Sequence, residues 1–273
     1  MVASDTVFAG SIPELYDRGL GPLLFEPFAE ELARRAAALS PSRILETAAG
    51  TGIVTAALAR VLPGAEIVAT DLNPAMLQVA RRRIAAPNVG FRTADAQALP
   101  FPDGGFDLVV CQFGAMFFPD RVGAYREARR VLRPGGWFLF AVWDRIEANP
   151  AAAAAARAVA ALFPDDPPDF LARTPYGYHD KALIETELVA AGFTRDVIET
   201  VHCESRGAAS DAARGLCQGS PLRSEIEARA PGRLGEATEA AAAALRALCG
   251  GAEQIAMPMS ALIVTARAEL ARS

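Results

Sequence analysis

Between residues 43 and 143, short apolar runs rich in β-branched side chains alternate with stretches whose apolar positions return every three or four residues. "RILET" leads into "VTAALARVL", "AEIVATD" into "PAMLQVARRRI", and "NVGFRTAD" passes through a loop to "FDLVVCQ". "RVGAYREARRVL" and "WFLFAVW" complete the series. Continuous apolar runs separated by amphipathic helices predict right-handed strand–helix–strand crossovers and a mostly parallel sheet covered on both faces. Local signals set several boundaries. Asn73 before Pro74 predicts a helix start, Asp180 caps "KALIETELVAAG", and Gly192 closes that helix in the left-handed conformation. Pro134-Gly135-Gly136 reads as a turn ahead of the strand "WFLFAVW".

Beyond residue 142 the alternation lapses into an Ala-rich helix and a Pro/Asp-rich turn region. A helix and a strand return at about 181–204, residues 205–250 read as mostly helical, and "MSALIVTARA" is a last strand. The expected fold is therefore α/β: a doubly wound, Rossmann-like sheet with helical insertions forming a lid. Residues 1–40 would be an N-terminal helical lid segment and 41–144 the core. Residues 145–178 would be a first insertion, 179–204 a return to the core, 205–256 a second insertion, and 257–273 the last strand and tail.

Composition narrows the function classes. With 52% hydrophobic and 22% charged residues the chain can bury a large core. A net charge of -5 with dispersed basic residues gives no footprint for nucleic acid, and Arg81–Arg83 suit a solvated helix end. No basic start precedes an apolar stretch, and no run approaches the roughly 20 apolar residues of a membrane span, so a cytoplasmic location is expected. The four cysteines are widely spaced and show no CxxC, which suits buried free thiols rather than a zinc site or a disulfide framework.

The chemistry concentrates in "LETAAGTG", where a strand ends in a Gly-containing turn that opens a helix. Ligands of open parallel sheets lie beyond the carboxyl ends of the strands, where Glu46, Gly50 and Gly52 fall. A phosphate-cradling loop needs a Lys after its glycines, yet Lys181 is the only lysine in the chain. A dinucleotide fingerprint needs a third glycine, but Gly50 is followed by Thr, Gly, Ile, Val and Thr. Glu46 would also be a poor neighbour for a pyrophosphate, whereas it suits a ligand with a cationic group.

With "ATDLNPAML", "ADAQALPFPDGGFDLVVCQFG" and "ARRVLRPGGWFLF" following in order, the chain resembles the class I S-adenosylmethionine-dependent methyltransferases. The resemblance is greatest to the bacterial small-molecule type similar to the ubiquinone and menaquinone biosynthesis enzymes; it is good over 43–142 and loose elsewhere. It implies that Glu46 and the backbone of Ala48, Gly50 and Gly52 surround the methionine portion of the cofactor. It further implies that Asp71 accepts from both ribose hydroxyls and that Leu72 and Met76 pack on adenine. Asp95 would accept from the exocyclic amino group with Ala96 beside it, and Cys111 and Gln112 would lie near the methionine amino acid group. Ala48 stands at the first glycine of the family's E-x-G-x-G-x-G, a position where related enzymes can carry Ala.

Methyl transfer from a sulfonium is an in-line displacement, so positioning of the acceptor is the protein's main task. A hydroxyl or protonated amine acceptor would be helped by a general base, for which His179 is the first choice; His202, in an apparent strand, reads as structural. Tyr16 would close over the cofactor or touch the acceptor, and Phe113, Phe117 and Phe118 would wall the methyl group. "CQFG" lacks the motif of DNA amino-methyltransferases and offers no acidic partner to Asp144, so no metal is expected. A small-molecule acceptor is left, with a homodimer among the open assemblies. A nicotinamide-dependent oxidoreductase and a non-catalytic S-adenosylmethionine-binding protein are the competing readings.

Overall fold

The computed structural model describes residues 12–269. Seven strands form one sheet in the order β3-β2-β1-β4-β5-β7-β6, with β1 at Arg43–Glu46, β2 at Glu66–Asp71, β3 at Val89–Thr93 and β4 at Phe106–Gln112. β5 spans Leu132–Trp143, β6 Phe193–Ala208 and β7 Gln254–Ala268. β1 lies parallel between β2 and β4, with Ile44 opposite Ile67 on one side and Leu108 on the other. β2 pairs β3 and β4 pairs β5 in the same sense, so all four strand ends that precede the predicted turns open on one edge. Backbone hydrogen bonds from Gly135 to Glu269 and from Asp144 to Ser260 run β7 antiparallel to β5.

Helices α1 (Ile12–Leu15) and α2 (Glu26–Ala38) flank a π-helical stretch at Tyr16–Phe25. α3 (Ile53–Val61), α4 (Pro74–Arg83) and α5 (Arg121–Val131) are the crossovers the sequence pattern predicts. α4 starts as expected, with the Asn73 side chain accepting from the Ala75 N–H and Pro74 in the first turn. α6 (Pro150–Ala160) and α7 (Phe170–Arg173) follow β5. α8 (Lys181–Ala190) is capped by Asp180, and Gly192 after it takes φ 89°. α9 (Ala209–Gln218), α10 (Leu222–Arg229) and α11 (Leu234–Leu248) occupy the second helical stretch.

Two expectations are corrected. Pro134-Gly135-Gly136 is not a turn ahead of β5 but lies inside it. The pairing jumps from Phe106 opposite Leu132 to Leu108 opposite Trp137, so the strand absorbs the residues that cannot pair as a bulge, with Gly135 at φ 78°. β6 also continues through Ala208, so residues 205–208 are strand rather than helix.

The chain divides into two compact units. One comprises Ala29–Val142, His179–Val201 and the residues from Ala261 on. Its core is the sheet: Ile44, Leu45, Ile67, Val109, Val110 and Leu139 are fully buried, and Tyr125 lies 5.4 Å from both the Phe138 and Phe140 rings. The other comprises the residues up to Phe28, Trp143–Tyr178 and His202–Ser260. There the methyl-only faces of α6 and α11, including Ala151–Ala155, Ala237, Ala241 and Ala242, are buried, and Trp143 meets Phe28 edge-on at 5.4 Å. Among the described residues no helix is long and apolar enough to cross a membrane.

Candidate cofactor site

The turn after β1 is held from both sides of the sheet. Thr47 donates its N–H to the Val110 carbonyl at 2.9 Å, and Ala49 donates to the Thr70 carbonyl at 2.9 Å. The chain can turn this sharply only through three left-handed residues: Ala48 at φ 52°, Gly50 at 58° and Gly52 at 81°. Gly52 has a second reason to be glycine. A Cβ there would lie 2.7 Å from Ile84 Cδ1 and 2.9 Å from Ala80 Cβ, so its bare Cα lets α4 and the Ile84 side chain pack against the turn.

Glu46 ends β1 with 1% of its surface exposed and no cationic partner among the described residues. Its carboxyl accepts from the Thr55 hydroxyl at 2.6 Å, in the first turn of α3. Burial pushes its pKa up to about 8; the Thr55 hydroxyl opposes the shift and the nearby Asp71 charge adds to it. Asp71, ending β2, accepts from the Gly50 N–H through one oxygen and from the Asn73 N–H through the other, both at 2.8 Å. Burial raises its pKa, while those two N–H groups pull it back. Each oxygen keeps a further lone pair for a ligand hydroxyl. Two acids at adjacent strand ends, with no basic partner among the described residues, fit a group that carries positive charge and a diol. The buried hydroxyl of Thr51, without a hydrogen-bond partner among the described residues, adds an unused polar group to the same turn.

The remaining predicted residues divide. Leu72 is 61% exposed beside Asp71, an apolar side chain left for something to cover, and Met76 is buried with Cε 3.7 Å from where a Gly50 Cβ would stand. Asp95 lies two residues past β3, with Ala96 next to it. One oxygen of Asp95 accepts from the Gln97 N–H at 2.8 Å, so this acid also shapes its own loop. The Cys111 side chain is wholly buried, with its pKa pushed up to about 12 by burial, and Gln112 beyond it is half-buried. All these residues, with His179, belong to the sheet-centred unit, whereas Tyr16 belongs to the other, where its ring stacks on Phe25 at 4.8 Å. His179 is half-buried before the Asp180 cap, and His202 is exposed on β6. Asp144 accepts from the Ser260 hydroxyl at 2.8 Å. Sequence reasoning missed Thr51 and Thr55; Thr55 could have been found by noting that the third residue of α3 faces back toward the end of β1.

The strand order, the acidic strand ends and the turn make the sheet-centred unit a Rossmann-like cofactor domain. Residues 45–140 match the family described as methyltransferase domain. The demethylmenaquinone methyltransferase of Thermus thermophilus is 50% identical over 99 residues, covering 36% of this chain and 45% of that protein. The demethylmenaquinone methyltransferase of Deinococcus radiodurans is 38% identical over 138 residues, covering 49% and 57% respectively. The chain thus spans about half the length of the curated relatives it matches. The fold is similar to that of the solved YcgJ protein from Bacillus subtilis, with a TM-score of 0.57 at 20% identity over 89% of this chain and 98% of that one. Over residues 45–140 the chain is thus similar to class I S-adenosylmethionine-dependent methyltransferase domains.

Proposed function

We propose that the protein transfers a methyl group from S-adenosylmethionine to a small organic acceptor. The observation that carries this reading is Glu46: a carboxyl buried at a strand end, with no basic partner among the described residues, against a turn of left-handed backbone. Bound there, the cofactor supplies a sulfonium-activated methyl group whose in-line displacement leaves a neutral thioether. In this reading Glu46 and the backbone of Ala48, Gly50 and Gly52 hold the amino acid end and Asp71 holds the ribose. Leu72 and Met76 flank the adenine, and Asp95 with Ala96 takes its amino edge. Gln112, following Cys111, borders the methionine. His179 is proposed to accept the acceptor's proton. None of the four cysteines is in a disulfide, which suits a cytoplasmic location.

The relatives are named for demethylmenaquinone, which makes a quinol-like ring the first acceptor to try, with hydroxyl and amine compounds beside it. Calorimetric titration with S-adenosylhomocysteine and with NADH tests the cofactor assignment. Micromolar binding of the former alone is expected; binding of NADH alone would sink the reading in favour of an oxidoreductase. Transfer of label from methyl-labelled cofactor to an acceptor panel then tests turnover, and tight binding without transfer to any compound would make this a binding protein.

A further inference from the structure

Ala48 stands where the resembling family has glycine, and its φ of 52° is one an L side chain adopts only under strain. Its methyl needs room, and the room is at Gly114. An ideal Cβ on Gly114 would lie 2.5 Å from Ala48 Cβ and 2.8 Å from Cys111 Sγ. Carbon atoms in contact sit about 3.5–4 Å apart, so neither approach is tolerable. Gly114 has φ -103°, a conformation open to any residue, so close approach and not backbone freedom accounts for glycine there. Neither side can retreat easily. Phe113, itself left-handed at φ 51°, donates its N–H to the Ala141 carbonyl at 2.8 Å and ties this segment to β5. Across the gap, the Thr47 and Ala49 N–H bonds tie the turn to β4 and β2.

We infer that Gly114 is a positioning residue for the cofactor turn: its missing side chain is the space that lets Ala48 stand in the left-handed conformation that aims the backbone of Gly50 and Gly52. The inference rests on reading that turn as the cofactor site. Gly114 itself need not touch the ligand.

The test is a double-mutant cycle of Ala48→Gly and Gly114→Ala, read by S-adenosylhomocysteine affinity and by thermal unfolding. Ala48→Gly alone supplies the second background, and its own effect on affinity is subtracted in the cycle. Gly114→Ala alone should weaken binding roughly tenfold or more, because the added methyl displaces the turn. In the Ala48→Gly background the same change should cost at least about fivefold less, the residual cost coming from Cys111. Equal costs of Gly114→Ala in both backgrounds would overturn the inference. If Gly114→Ala yields no folded protein, recovery of folded protein in the double variant supports the pairing, and failure of both overturns it. If the unaltered protein does not bind S-adenosylhomocysteine, the proposed function fails, while coupling in the melting temperatures still decides whether the two positions share one space.

Discussion

A carboxyl buried without a basic partner holds its proton at neutral pH unless a ligand brings the missing charge. Glu46, with its pKa pushed up to about 8 by burial, is in that state. The folded protein then binds more protons than the unfolded chain between about pH 4.5 and pH 8, so Glu46 lowers stability as pH rises through that window. An ammonium group favours the ionised carboxylate, so binding of S-adenosylhomocysteine near pH 7 should release a proton, and affinity should rise between pH 6 and pH 8. Calorimetry in two buffers of different ionisation enthalpy measures the release; a count of zero would remove Glu46 from the ammonium site. Glu46→Gln keeps an acceptor for Thr55 and should raise the melting temperature at pH 8 while weakening binding. Asp71 acts through hydrogen bonds. On the proposed assignment Asp71→Ala removes two charge-assisted bonds to the ribose and should cost roughly 2–4 kcal/mol of binding, and an unchanged affinity in folded protein would displace the ribose from this position.

At the scale of elements, the pattern located β1 and β4 because parallel strands buried on both faces read as unbroken apolar runs, whereas β3, a largely exposed edge strand, was located by its place in the alternation. The pattern could not locate contacts that depend on which distant residues meet. Asp107 is the example. It receives the Ser42 N–H and hydroxyl at 2.7 Å, the Arg43 N–H at 2.9 Å and Arg133 at 2.8 Å, stitching the start of β1 to β4 and β5. Burial raises its pKa, but the Ser42 and Arg43 hydrogen bonds and the Arg133 charge outweigh that and leave it below the usual carboxylate value. Stability from this group is present above the unfolded pKa and is lost as pH falls through the folded one. Asp107→Asn should therefore cost about 1–3 kcal/mol in urea unfolding at pH 7, with the deficit shrinking toward pH 3; a constant deficit would show that charge is not its contribution. Gly52 makes the same point from the other side: the sequence shows the glycine, but only the packed fold shows that Ala80 of α4 and the Ile84 side chain require it.

On the scale of the whole molecule, what was legible follows where the matched segment lies. Residues 45–140 carry the cofactor turns, and every proposed cofactor contact from Glu46 to Gln112 falls inside the sheet-centred unit. The segments outside it, Trp143–Tyr178 and His202–Ser260, are built largely of alanine-faced helices whose pattern fixes packing but names no ligand. The acceptor is accordingly the least legible part of the site. This division predicts where a ligand is felt. Binding to the folded state alone stabilises it by RT ln(1 + [L]/Kd), about 2.7 kcal/mol at a hundredfold excess over Kd. Hydrogen exchange with saturating S-adenosylhomocysteine should show new protection at residues 46–53, 71–77, 95–97 and 111–114, with slower exchange through β1 and β2 as the unit is stabilised. Protection first appearing at 150–160 or 209–248 instead would place the nucleoside in the helical unit and undo the assignment of Glu46 and Asp71 together.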